Sequence, residues 1–342
     1  MGASVALASF AGLLAVAAPR FLTSVARQVS PRQGIVVWAS VCGAFVLAVV
    51  GAGISMTAPT HLLVHGLHDL FHACAAAVAG LDDHGGGRAV GTTGAALAGL
   101  AAGAAATGVT RTVWHNRRER DRQRRMTDLV GRVMPGPELV CLDVDQPAVY
   151  CLAGRPGRIV LTRGALSALE GDELAAAVAH EREHLRARHY VLLAVADGLA
   201  RVFPFVPLVT EARRQLRYLV ELAADDVAAR RHGPWPLSRA IMAVAAGSVP
   251  RNGLGANAGH LLSRVERLRS PGRPPSPRAR FTAAAVCTTA LLVPVVVTGG
   301  TLWSAALDDH CSHPVTAGDL RAELADSHGD HDLQVIARPA RY

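Results

Sequence analysis

The sequence predicts a mainly α membrane protein in which four transmembrane helices carry a cytoplasmic α+β domain built from a small antiparallel sheet and longer helices. Three observations lead there. Half of the 342 residues are hydrophobic while only 4% are aromatic, and the mean hydropathy is positive, a profile too rich in Ala, Val, Leu and Gly for an ordinary soluble pair of domains. Four apolar runs approach the roughly 20 residues that a helix needs to cross a hydrocarbon core of about 30 Å. Between the third and the fourth lies a stretch, 111–280, that opens on strand-like runs and continues in helix-like ones, the length of one domain.

The four runs are residues 3–18, 34–56, 89–109 and 281–307. The second and fourth are Val/Ala/Leu-rich and free of charge. The first is short, and the third is rich in Gly, Ala and Thr, with Gly99 and Gly103 at the four-residue spacing that lets helix backbones approach closely. Both are expected to pack against neighbours. A secretory signal peptide is the alternative for the first run, but its basic flank is on the wrong side: Arg20, Arg27 and Arg32 follow the apolar stretch where a signal peptide has them before.

Arginine placement sets the orientation, because short loops rich in basic residues stay in the cytoplasm. The loop after the first run, the segment RTVWHNRRERDRQRRM after the third and SPGRPPSPRARF before the fourth are the basic ones. The loop 57–88 and the tail 308–342 carry the surplus acid and histidine. The expected topology has both termini outside, a membrane region over 1–110, a cytoplasmic domain over 111–280, a last span over 281–307 and a short extracytoplasmic tail over 308–342. A net charge of +8 then reflects attraction to anionic inner-leaflet lipid. Nucleic acid is not an expected partner, since Trp114 alone is a thin aromatic platform in the basic stretch.

Within the cytoplasmic stretch, LVCLDVD (139–145), AVYCLAG (148–154) and RIVLT (158–162) read as strands separated by Gln146-Pro147 and by Gly154-Arg155-Pro156-Gly157, which favour turns. The run TRGALSALEGDELAAAVAHEREHLRARHY has apolar residues at helical spacing. Asp172 is the expected N-cap, and Leu174, Ala177 and Val178 are expected to face the core. HEREH, 180–184, therefore falls well inside a helix. Four residues apart on a helix, His180 and His184 project from one face and can grip one ion, while Glu181 can reach a water on it without ligating it.

A catalytic zinc keeps three protein ligands and one open position, so a further ligand is expected downstream. In LRYLVELAADDVAARRHG (216–233), Glu221 and Asp225 share a helical face. That pair suits one ligand carboxylate and one carboxylate that hydrogen-bonds a ligand imidazole. A solvated acidic face made by Glu221, Asp225 and Asp226 is the bland alternative, and the apolar neighbours Leu222, Ala223, Ala224 and Val227 weigh against it. The apolar stretch 190–209, interrupted by Asp197 and Arg201, is expected to be a core or interfacial helix, since a further crossing would part His184 from Glu221.

The runs ELAAAVAHEREHLRARHY, FPFVPLV and ELAADD together resemble the membrane-embedded zinc metallopeptidases of the BlaR and MecR antirepressor type, and more distantly the HtpX and CAAX-prenyl protease family. The resemblance implies a zincin-like fold, one zinc ion per chain held by His180, His184 and Glu221, Glu181 as general base and Asp225 as partner of a ligand histidine. It also implies a protein substrate, a transcriptional repressor by analogy with the antirepressors or damaged membrane proteins by analogy with HtpX. A non-catalytic signalling or scaffold protein is the alternative. Ala187 and His189 stand where antirepressor relatives have an Arg-x-Asp, and the short tail has no room for their penicillin-binding domain. Tyr218 and Arg217, about one turn before Glu221, are candidate oxyanion donors.

Outside the membrane, His61, His65, His68 and His72 fall on one helical face, and the tail holds Asp309, His310, Cys311 and His313. A metal or pH sensor is one reading, an interfacial amphipathic helix the other. Of six cysteines only Cys74 and Cys311 share an oxidising side where they can pair.

Overall fold

The computed structural model describes residues 2–57, 86–136, 138–248, 257–270 and 275–311. The loop histidines 61, 65, 68 and 72, Cys74 and the tail beyond Cys311 lie outside the described residues. Three described helices are long and apolar enough to cross a membrane: Gly2–Gln28, Pro31–Ser55 and Pro277–Trp303. Helix α1 (Gly2–Gln28) passes through Pro19 and ends ten residues beyond the apolar run that predicts it. It is followed by α2 (Pro31–Thr57). The expected third span lies within α3 (Gly86–Val130). That helix has 45 residues and is about 68 Å long at 1.5 Å per residue. It runs on through the arginine-rich stretch because neither Gly nor Pro interrupts residues 109–130 and Arg, Gln, Glu and Met all favour helix.

A four-stranded sheet follows: β1 (Arg132–Val133), β2 (Leu139–Leu142), β3 (Val149–Leu152) and β4 (Arg158–Thr162), in the spatial order β1-β2-β4-β3. It is mixed, which corrects the expectation of an antiparallel sheet: β2 runs parallel to β4 from Leu139↔Ile159 to Leu142↔Thr162, while β1 and β3 pair antiparallel with β2 and β4. The reason lies in β4. Its Ile159, Val160 and Leu161 are fully buried, and a strand apolar on both faces takes the central position. The β3–β4 hairpin therefore inserts β4 beside β2 and leaves β3 at an edge.

The remaining helices are α4 (Arg163–Ala168), α5 (Gly171–Arg186), α6 (His189–Val202), α7 (Pro207–His232), α8 (Pro234–Ser248), α9 (Asn257–Arg269) and α10 (Pro277–Cys311). One core spans the apolar bundle and the helical domain: Leu7, Leu22, Trp38 and Phe45 of α1 and α2 are buried with Leu208, Val209, Leu216 and Leu219 of α7. Helix α3 packs on α6 through glycines. A side chain at Gly198 would meet Cα of Val109 at 2.7 Å, and one at Gly108 would meet Val202. Gly99 and Gly103, the expected packing pair, have nothing within contact distance.

Candidate metal centre

The sequence breaks its long helical pattern where local chemistry dictates. Thr162 caps α4 by accepting a hydrogen bond from the Ala165 N–H at 3.1 Å. Helix α5 is capped by Glu170, one residue before Gly171, so Asp172 sits in the first turn and is not the cap. The Glu170 N–H donates to Oε2 of Glu173 at 3.1 Å, the reach-back half of a capping box. Val178 is buried as expected, along with Ala176 and Ala179, while Leu174 and Ala177 are partly buried. Helix α5 ends at Arg186, two residues past His184, and Arg188 turns the chain with a left-handed φ of 52°. HEREH thus closes the helix instead of lying deep within it.

Helix α7 crosses α5 and brings Glu221 onto the histidines. The Nε2 atoms of His180 and His184 are 3.1 Å apart. Glu221 oxygens lie 3.5 Å from His180 Nε2 and 3.6 Å from His184 Nε2. One donor atom from each of the three lies within 4.8 Å of the others. Asp225, one turn further along α7, is fully buried, with Oδ1 3.0 Å from Nδ1 of His180, close in distance though not aligned as a hydrogen bond. Glu181 lines the same cavity of about 230 Å³ with Val149, Ile241, Leu261 and Arg264.

Several partners escaped the sequence reading. Arg264 of α9 grips Asp225 with two bonds of 2.7 Å and reaches Glu221 Oε2 at 3.0 Å. His189, the first residue of α6, places Nδ1 2.9 Å from Nδ1 of His184. Cys151 on β3 is a neighbour of Glu181 and favours its ionised form, against the effect of burial. Arg182 and Glu183, between Glu181 and His184, are engaged: Arg182 pairs with Glu138, and the buried Glu183 carboxylate binds Arg32 of α2 at 2.9 Å and Arg186 at 2.6 Å. Tyr218 and Arg217 lie elsewhere. The Tyr218 hydroxyl is 3.3 Å from Ser263 Oγ, and Arg217 pairs with Asp197 at 2.7 Å.

Burial and neighbouring charge tune each group. Burial disfavours charge on His180, but Asp225 and Glu221 outweigh it and raise its pKa to about 9. Burial, with the positive His180 beside it, pushes His184 down to about 4. Burial raises Glu181 above the ordinary carboxylate range. It opposes ionisation of Glu221 and Asp225 too, yet His180 and Arg264 hold Glu221 at about 2, and Arg264 and His180 hold Asp225 at about 2. Three carboxyl groups (Glu181, Glu221, Asp225) thus face the Arg264 guanidinium and the His180 imidazolium, and an ion that displaced the His180 proton would take over its positive charge. Two imidazole nitrogens and a carboxylate oxygen converging in such a place fit a divalent ion with a nitrogen and oxygen preference, zinc above all.

Residues 114–232, which contain both motifs, match the family model described as peptidase family M48. The chain is 35% identical over 82 residues to a protease HtpX homolog of Salinibacter ruber (strain DSM 13855 / M31), covering 23% of this chain and 28% of that protein. It is 36% identical over 69 residues to a protease HtpX homolog of Acidiphilium cryptum (strain JF-5), covering 20% and 24%. The chain therefore spans about a quarter of the length of these curated relatives. No solved structure matches. The similarity is to the more distant of the two expected relatives, and the antirepressor subtype draws no support from it. The segment 114–232 is similar to peptidase family M48 and contains the described His180, His184 and Glu221 cluster.

Proposed function

We propose that this protein is a membrane-embedded zinc endopeptidase, with His180, His184 and Glu221 holding the metal and Glu181 acting as general base. The observation that carries the reading is the convergence of those three donor atoms beside the half-buried Glu181 in the segment similar to family M48. When bound, zinc supplies Lewis-acid chemistry, polarising a carbonyl and acidifying water. Glu181 takes the proton from the attacking water and hands it to the leaving amine. Its raised pKa suits both directions of transfer. Asp225 orients His180, His189 orients His184, and Arg264 keeps Asp225 and Glu221 ionised and in place.

The domain 111–280 works on the cytoplasmic side, and its substrate is a protein. Similarity to HtpX homologs favours a membrane protein as substrate over a transcriptional repressor. A scaffold that kept the fold alone would have no use for Glu181, which ligates nothing in this arrangement. The decisive variant is Glu181→Gln. Purified in detergent, it is expected to keep one zinc per chain by metal analysis and to lose peptide hydrolysis by about 10²- to 10⁴-fold. Undiminished hydrolysis would refute the mechanism, and purified wild-type protein without stoichiometric zinc would refute the site.

A further inference from the structure

Helices α6 and α7 form a hairpin with an uncharged tip. From Val202 to Val209 the chain reads VFPFVPLV, with α6 ending at Val202 and α7 starting at Pro207. Phe205 at the tip is 95% exposed. Its neighbours pack the other way: the Phe203 ring meets Phe45 of α2 edge-on with centroids 5.9 Å apart, and Leu208 and Val209 are buried in the core shared with α1 and α2. Further along, Leu219 packs over Gly34 of α2. Helix α7 therefore lies along α2, with the hairpin tip about 16 Å from Gly34 at 1.5 Å per residue. That position falls within Pro31–Ser55, a segment apolar enough to cross a membrane.

Charge resumes within one or two turns of the tip on both arms. Asp197 binds Arg213 and Arg217, each at 2.7 Å. Glu211 binds Arg214 at 2.7 Å, and Arg201 donates to Thr112 Oγ1 at 2.8 Å. Arg213, Arg214 and Arg217 are half exposed or more. An uncharged tip with a bare phenylalanine, backed by a band of arginines and continuous with a membrane-spanning helix, has the layout of an interfacial element: apolar groups in acyl chain, long cationic side chains at the phosphates. In water, a phenylalanine so exposed would forgo the stabilisation that burial of its ring provides.

We propose that the α6–α7 hairpin is a lipid wedge, its tip at residues 203–206 seated among phospholipid acyl chains of the leaflet that faces the peptidase domain. A depth of about 5 to 10 Å is typical of such elements and leaves the arginine band at the headgroups. The ligand is bulk phospholipid, and the proposal is independent of whether the metal site is catalytic.

The test is Phe205→Trp in the full chain, reconstituted in phosphatidylcholine and phosphatidylglycerol vesicles, with emission read as the difference from the parent protein. Because Phe205 is 95% exposed, the change disturbs no packing. Leu129→Trp, at an 80% exposed position near the end of α3, serves as the aqueous counterpart. The added emission at 205 is expected to be quenched by lipid brominated near the headgroup, less by lipid brominated near the chain end, and little by aqueous acrylamide, with the reverse pattern at 129. Quenching at 205 by acrylamide and not by brominated lipid would overturn the proposal. So would protection from both, which would mean that protein covers the tip.

Discussion

His184 is held from two sides, and this decides which proton it carries. Its Nε2 faces His180 and Glu221 while its Nδ1 lies 2.9 Å from Nδ1 of His189. If Nε2 ligates an ion, the proton must sit on Nδ1 and His189 must accept it, so His189 fixes both tautomer and ring orientation. His189→Ala is therefore expected to weaken zinc binding by about 10- to 100-fold, read by competition with a zinc-binding indicator. Unchanged affinity would show that packing alone orients the ring. The clustered side chains were legible in the sequence as candidates because each pair, His180 with His184 and Glu221 with Asp225, is a four-residue helical repeat whose geometry is local. Their supports were not. Arg264 reaches Asp225 across 39 residues, Arg32 reaches Glu183 across 151, and His189 returns to His184 only because Arg188 adopts a left-handed turn. None of these leaves a periodic trace.

Elements follow the same division. The three main strands and the two motif helices stand where alternation and helical spacing put them, but the parallel pairing of β2 with β4 is non-local, fixed by which strand can be buried on both faces. Glycine spacing misled in an instructive way. Gly99 and Gly103 form the recognisable small-residue pair, yet the close approach of α3 uses Gly108 against Gly198 on α6, a pairing between two helices that no single-helix motif reveals. This gives a contrast to measure. Gly198→Ala would place a Cβ 2.7 Å from the Val109 backbone, and since backbone cannot yield as a side-chain tip can, the helices must part at a cost of about 1 to 3 kcal/mol. Gly99→Ala and Gly103→Ala meet open space and are expected to leave thermal unfolding in detergent unchanged. Equal effects at all three positions would mean that α3 does not pack on α6 as described.

At the scale of the whole molecule, the helices gather the basic residues at one end. Helices α2 and α10 run side by side in the same direction, with Gly43 near Leu291 and Gly51 against Thr298, so Arg278 and Arg280 at the start of α10 lie level with Arg32 at the start of α2. Arg27 closes α1 at the same end. Arg120 of α3 stacks over Tyr190, 4.7 Å from its ring, where α6 begins beside the site. Membrane insertion keeps short arginine-rich segments in the cytoplasm, so the end that holds His180, Glu181 and Glu221 is expected to face inward. Val133, on the short edge strand β1 and 81% exposed, reports on this side. With Val133→Cys, a membrane-impermeant maleimide should add label beyond that of the parent chain in inverted vesicles and none in intact cells, the parent correcting for native thiols. Added label in intact cells would place the metal centre on the outer face. Proteolysis of cytoplasmic proteins would then be ruled out, while the zinc chemistry itself would stand.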